Sequence, residues 1–299
     1  MSPSGKPSRP TARPGNRTTA LRGCAAFRPR WTPAALGLLG LTLASTAAAG
    51  SIHFDQPLRQ GSLVTGTATE APVTVDGRRI RRGSGGEIVF GLGRDQQEVR
   101  VCMGSGAAQA CQSHAVESGQ WRIERVDGLP PKTVTPDPAT AARIAEEAAL
   151  VVEARKQDSP GQAFLGPWQQ PASGRISGVY GSQRILNGVP GSTHLGLDIA
   201  APKGDPVLAA ADGTVSLVHQ DMVLSGKTVL IDHGHGVSTV YIHMSQIQVE
   251  LGQRVKAGQR IGSIGASGRA SGPHLHWGLN WFDVKLDPQQ LPLSDPPRQ

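Results

Sequence analysis

The sequence predicts a mainly β protein: a small N-terminal β domain, a connecting helix, and a C-terminal antiparallel β-sheet domain with a sandwich-like hairpin core. Three observations carry this prediction. Glycine (38) and proline (23) are plentiful in 299 residues while aromatic side chains make up 4%, a balance that suits short strands joined by turns. Runs rich in β-branched residues recur between glycine-containing turns in both halves of the chain. Helical periodicity is clear in one stretch only, just after residue 137.

Residues 1–49 read as a signal peptide. A basic, proline-rich start precedes the apolar run "AALGLLGLTLASTAAAG" and small residues that fit an A-x-A cleavage site at Ala47–Ala49. This leader holds Lys6, Arg9, Arg13, Arg17, Arg22, Arg28 and Arg30 and no acid, and without it basic and acidic residues balance. The pI of 9.8 therefore belongs to the leader, and nucleic acid is not an expected partner. The run from Ala34 to Ala49 is short for a span that needs roughly 20 residues, so a membrane is a partner only if the leader is uncleaved. Export to the periplasm, the cell envelope or the medium is the expectation. Cys24 departs with the leader. Cys102 and Cys111 then flank a Gly/Ala-rich turn between two strand-like segments, where an oxidising compartment favours a cross-strand disulfide.

Residues 50–128 read as the small β domain. In "VTVDGRRI" the Asp76-Gly77 pair between β-branched runs is a strong hairpin signal. "GEIVFGLG", "EVRVCM" and "WRIERV" are further short strands of the same domain. Arg78, Arg79, Arg81 and Arg82 are expected on a solvated hairpin face, and nothing in the segment has the spacing of a catalytic site. Residues 129–173 are a Pro-rich linker and a helix, with Asp137 as N-cap and Pro138 in the first turn. Its expected apolar stripe is Ala141, Ile144, Ala145, Ala148, Val151 and Val152.

Residues 174–299 form the last domain. "GTVSLVHQ", "KTVLIDHG", "STVYIHMS" and "PHLHWGLNW" read as strands, and the glycines of "LGQRVKAGQRIGSIGASG" as tight turns. That glycine pattern also occurs in lipoyl and biotin carriers, but Lys256 lies within the turns rather than at an exposed hairpin tip. Seven of the nine histidines (His194, His219, His233, His235, His243, His274 and His276) fall in this domain. Alternate strand residues share a face, so His274 and His276 point the same way. His194 and Asp198, four residues apart in "HLGLDIAAP", add an imidazole and a carboxylate, both suitable zinc ligands. If both members of the His pair joined them, four ligands would close a structural site. If one joined, a fourth position would stay open for water. Spacing alone leaves both outcomes standing.

Together, "STHLGLDIAAPKGDPVLAAADGTV", "VYIHMS" and "SGPHLHWGLN" resemble the lysostaphin-type (β-lytic) family of zinc metallopeptidases that cut peptidoglycan cross-bridges. The resemblance covers roughly residues 174–290. It implies that His194, Asp198 and His276 bind one Zn²⁺, with His243 and His274 as catalytic residues beside the metal's water, and peptidoglycan peptides as substrate. The alternative is a catalytically silent regulator of another cell-wall hydrolase, although such relatives typically lack ligand residues. Tyr180, Met244 and Gly278 depart from the family's commoner choices. His219, His233 and His235 are expected to be surface or turn histidines outside the site.

Overall fold

The computed structural model describes residues 50–126, 137–186 and 188–295. The leader with Cys24 and most of the Pro-rich linker lie outside the described residues.

The protein is mainly β, with antiparallel sheets and, among the described residues, one α-helix. Its centre is an eight-stranded sheet, seven strands in one row with Val284–Leu286 pairing to His274–Trp281 off that row. Arg175–Gly178 forms one edge, followed in space by Leu197–Ala200, His274–Trp281, Val237–Met244, Gly226–Gly234, Gly213–Met222 and Arg254–Val255. Period-2 alternation sorts its side chains into two faces. Leu197, Ile199, Leu275, Trp277, Leu279 and Tyr241 enter the main core, each at most 1% exposed. Asp198, Ala200, His274, His276, Val240 and Ile242 fall on the opposite face by the same alternation. The sheet therefore separates a dry core from the face that carries the polar residues of interest.

The N-terminal part contains two small sheets. One pairs Ile52–Phe54, Leu63–Ala68 and Glu87–Gly91; the other pairs Arg78–Ile80, Val73–Val75, Glu98–Met103 and Ala110–Ala115. Asp76 and Gly77 both have positive φ (49° and 82°), as a two-residue hairpin turn of this type requires. Cys102 and Cys111 sit opposite each other and form a disulfide. The apolar residues of these sheets run on into the core of the C-terminal sheet as one cluster.

Four expectations need correction, the last of them on two histidines. The strand in "WRIERV", Ile123–Val126, does not pair within the small domain: it runs parallel to Gln183–Leu186 in the C-terminal part. The arginines of the hairpin are not simply solvated. Arg78 lies over the rings of Trp281 and Phe282 and pairs with Asp283 at 2.6 Å, and Arg81 pairs with Asp158. The helix Pro138–Arg155, capped by Asp137 as predicted, buries a narrower stripe than the apolar pattern suggests. Ala141, Ala145, Ala148 and Val152 are exposed, while Val151 and Ala154 pack on Leu230 and Val240. Glu147 is buried beside them because its carboxylate accepts from Val223 N–H at 2.7 Å and pairs with Arg143 at 2.8 Å. A helix laid across the strands touches them along one line, and polar anchoring set which line. Among the described residues, no helix is long and apolar enough to cross a membrane.

His233 and His235 are buried rather than at the surface, at 1% and 4% exposure, although His235 does occupy the turn between Gly226–Gly234 and Val237–Met244. The Nδ1–H of His233 donates to the Asp212 carbonyl at 2.6 Å, and its Nε2 lies 2.8 Å from Thr239 Oγ1. His235 packs on Phe164. Burial lowers the His233 pKa to about 4 from the ordinary 6.5. The unfolded chain therefore takes up a proton that the folded chain refuses. This group leaves stability intact above pH 6.5 and erodes it as pH falls from 6.5 toward 4, by at most about 3 kcal/mol. Urea unfolding of His233→Gln should show a lower midpoint at pH 7.5 and a shallower loss between pH 6.5 and 4.5. An unchanged slope would refute this account.

Candidate metal centre

Register builds the site. Leu197–Ala200 pairs antiparallel with His274–Trp281 so that Asp198 stands opposite His276. On the other side of Asp198, Gly178 of the edge strand is its register partner. His194 arrives from the loop before Leu197–Ala200 and is fixed by its backbone: its N–H donates to the Ser182 carbonyl, and its carbonyl accepts from Gly181 N–H, both at 2.8 Å.

Three donor atoms converge. Asp198 Oδ1 lies 3.0 Å from His194 Nε2 and 2.8 Å from His276 Nδ1, and the two ring nitrogens are 3.0 Å apart. One ligand atom from each of the three residues lies within 4.8 Å of the other two. Protons decide what this means. A carbonyl oxygen can only accept, so the contact of His194 Nδ1 with the Val179 carbonyl (3.0 Å) places the proton of a neutral ring on Nδ1. Its Nε2 then aims a lone pair at an anionic oxygen. That arrangement requires a positive centre, either an extra proton or a cation. The 2.8–3.0 Å edges are a few tenths short of the roughly 3.3 Å expected for tetrahedral zinc with bonds of about 2.0–2.1 Å. One imidazole through Nε2, one through Nδ1 and one carboxylate thus fit a zinc ion as donor set and, with small relaxation, as spacing.

The electrostatics agree. Burial alone would raise the Asp198 pKa, but its hydrogen bonds to His194 and His276 and the charges on both rings hold it well below the carboxylate range. Burial would lower His194, yet its bonds to Asp198 and to the Val179 carbonyl outweigh this and raise it. Each partner steadies the charged form of the other.

Glycine makes the room. A Cβ on Gly178 would lie 2.3 Å from Asp198 Oδ2, and one on Gly196 would lie 2.5 Å from His276 Nε2. Gly178 carries no signal in the sequence motifs.

The other two candidates flank the trio. His274 shares a face with His276, its Nε2 4.0 Å from Asp198 Oδ1. Its Nδ1–H donates to the Gly272 carbonyl at 2.9 Å. His243 is subtler. The register sets Ile242 against His276, so strict alternation would send His243 to the core side with Tyr241. Instead His243 has φ 64°, a left-handed conformation uncommon outside glycine. The turn brings its ring to 4.8 Å from that of His274 and 6.4 Å from that of His276, centroid to centroid. Its Nδ1–H donates to the Ser267 carbonyl at 2.8 Å, and Ser267 Oγ in turn donates to the Met244 carbonyl. Burial, with lesser contributions from His274 and His276, lowers the His243 pKa to about 4 despite the Ser267 bond. Both flanking rings have Nδ1 committed to backbone, which leaves Nε2 for chemistry. His219, His233 and His235 are not part of this group.

Residues 192–288 match the model of peptidase family M23. The chain is 34% identical over 154 residues to the cell division protein DipM of Caulobacter vibrioides, covering 52% of this chain and 24% of that protein. It is 45% identical over 86 residues to the peptidoglycan DD-endopeptidase ShyA of Vibrio cholerae, covering 29% of this chain and 20% of that one. The chain thus spans about a quarter or less of the length of these curated relatives. A crystal structure assigned to peptidase M23 from Pseudomonas aeruginosa superposes with a TM-score of 0.61 at 28% identity, covering 78% of this chain and 94% of that one.

Proposed function

We propose that this chain, whose residues 192–288 are a peptidase family M23 domain, is an exported zinc endopeptidase that hydrolyses the peptide cross-bridges of peptidoglycan. The observation that carries the reading is the convergence of His194, Asp198 and His276 beside two imidazoles whose Nδ1 atoms are both tied to backbone carbonyls. His194, Asp198 and His276 would hold the zinc ion. Zinc held there supplies Lewis acidity and a water acidified toward pKa ~7. His243 and His274 face the reacting carbonyl with Nε2. One takes the proton of the attacking water on its free Nε2, and the other, as an imidazolium protonated on both nitrogens, donates to the oxygen that gains negative charge. The carbonyls of Ser267 and Gly272 fix both ring orientations by holding Nδ1–H, which turns each Nε2 toward the reacting atoms. Asp198, kept ionised by its neighbours, stays an anionic ligand.

The DD-endopeptidase among the relatives favours a stem-peptide linkage to a D-centre over a glycine bridge. The domain scheme follows: residues 1–49 as a cleaved export leader, 50–128 as a β module, 129–173 as linker and helix, and 174–299 as the peptidase domain.

A zymogram on purified peptidoglycan tests the reading. The mature chain should clear the gel, a chelator should abolish clearing, and added zinc should restore it. Clearing that persists in chelator would sink the metal mechanism. No clearing by the zinc-loaded protein would hand the case to the silent-regulator alternative.

A further inference from the structure

The metal centre opens into a cleft of about 750 Å³ with walls from two distant parts of the chain. His194, Asp198 and His274 line it, as does Arg175 on the edge strand Arg175–Gly178. The other part includes Arg122 and Glu124, which precede the linker in the chain but sit on the strand that pairs with the C-terminal part.

That second wall is firmly seated. Ile123–Val126 pairs with Gln183–Leu186, and Gln183 N–H donates to the Arg122 carbonyl at 3.0 Å. Trp121 meets Tyr180 edge to face, centroids 5.4 Å apart. Arg94 stacks over Trp121 and donates to the Gly181 carbonyl at 3.1 and 3.0 Å.

Charge in the cleft is uneven. Glu124 is itself partnered. Arg122 and Arg175 are exposed, and among the described residues neither guanidinium has a hydrogen bond or an ion pair. A guanidinium presents a planar fork of donors matched to a carboxylate, and such pairing is stronger than neutral hydrogen bonding. Uncommitted cations in a concave, partly enclosed site also raise the local concentration of anions. The open edge of Arg175–Gly178 suits an extended peptide lying alongside it.

We propose that Arg122 and Arg175 form a carboxylate-recognition subsite, so that a segment preceding the linker takes part in selecting anionic cross-linked peptides over their amidated forms. This rests on the peptidase reading above and adds a specificity element to it.

The test uses the zinc-loaded protein and a cross-linked stem-peptide dimer whose scissile amide is replaced by a reduced amide, so that binding is read without turnover. One dimer carries free carboxylates and the other is amidated. Wild type should bind the carboxylate form about tenfold more tightly, the gain expected of well-placed charge-assisted pairs. Arg122→Gln and Arg175→Gln should each remove part of that preference, and the double variant nearly all of it, with the Kd for the amidated dimer unchanged. Arg122→Lys should keep part. Equal binding of both dimers by wild type overturns the subsite, as does a variant that weakens both dimers alike. Initial rates on the cleavable dimers separate the two ideas. A binding preference without any hydrolysis would keep the arginine subsite and remove the peptidase reading.

Discussion

His276→Ala will lose its bound zinc and its turnover together, whereas His274→Ala will keep the zinc and lose turnover only. The two residues are next-but-one neighbours on one face of one strand, so the contrast tests position rather than exposure. His276 Nδ1 lies 2.8 Å from Asp198 Oδ1 and 3.0 Å from His194 Nε2. The Nε2 of His274 is 4.0 Å from the same carboxylate oxygen, and its other nitrogen is committed to the Gly272 carbonyl. On the proposed roles, His276→Ala removes one of three protein ligands and leaves His194 and Asp198 alone with a dication. Removing a proton-transfer group costs about 10²–10⁴-fold in rate and leaves the metal in place. Metal content of the purified variants and initial rates on a cross-linked peptide provide the two readouts. If His274→Ala released zinc as readily as His276→Ala, the division of roles would be wrong.

Gly178→Ala should come next in size. The added methyl would lie 2.3 Å from Asp198 Oδ2 and 3.0 Å from its Cγ. Gly178 has no positive φ, so the alanine backbone is unstrained and the whole conflict falls on the carboxylate. Asp198 must swing aside, and with it one vertex of the trio. Displacing a ligand's support typically costs 10–100-fold in metal affinity or activity, and that range is the expectation here, with far-UV circular dichroism unchanged. Gly93→Ala is the matched control, since its new methyl would meet nothing nearer than Val284 Cγ1 at 3.7 Å. If Gly178→Ala bound zinc like wild type, the carboxylate would have room that the packing denies it.

Much of the architecture could be read from local chemistry. The Asp76-Gly77 turn, the Asp137 cap and the long C-terminal strands each depend on neighbours within a few positions. So does the shared face of His274 and His276, because strand alternation is a local rule. The pairing of Asp198 with His276 spans 78 positions, and only family resemblance singled it out beforehand. His243 was reachable by resemblance and not by periodicity, since alternation assigns it to the core and a left-handed backbone carries it to the other side. Gly178, Trp121 and Arg122 went unnoticed because each matters through a partner far away in the chain. The helix stripe failed for a related reason: apolarity marks which residues tolerate burial, while Val223 and Arg143 determined that Glu147 would be buried.

The parallel pairing of Ile123–Val126 with Gln183–Leu186 also bears on timing. It joins segments about sixty positions apart, and contacts of such separation close late because chain entropy must be lost before they return anything. The cleft wall is thus finished only when both halves of the molecule have condensed. Asp198 and His276 are joined by a different strand pair, so the trio and the cleft wall beside it are separate products of folding. Whatever the cleft admits to the trio therefore depends on a contact made across both halves of the molecule.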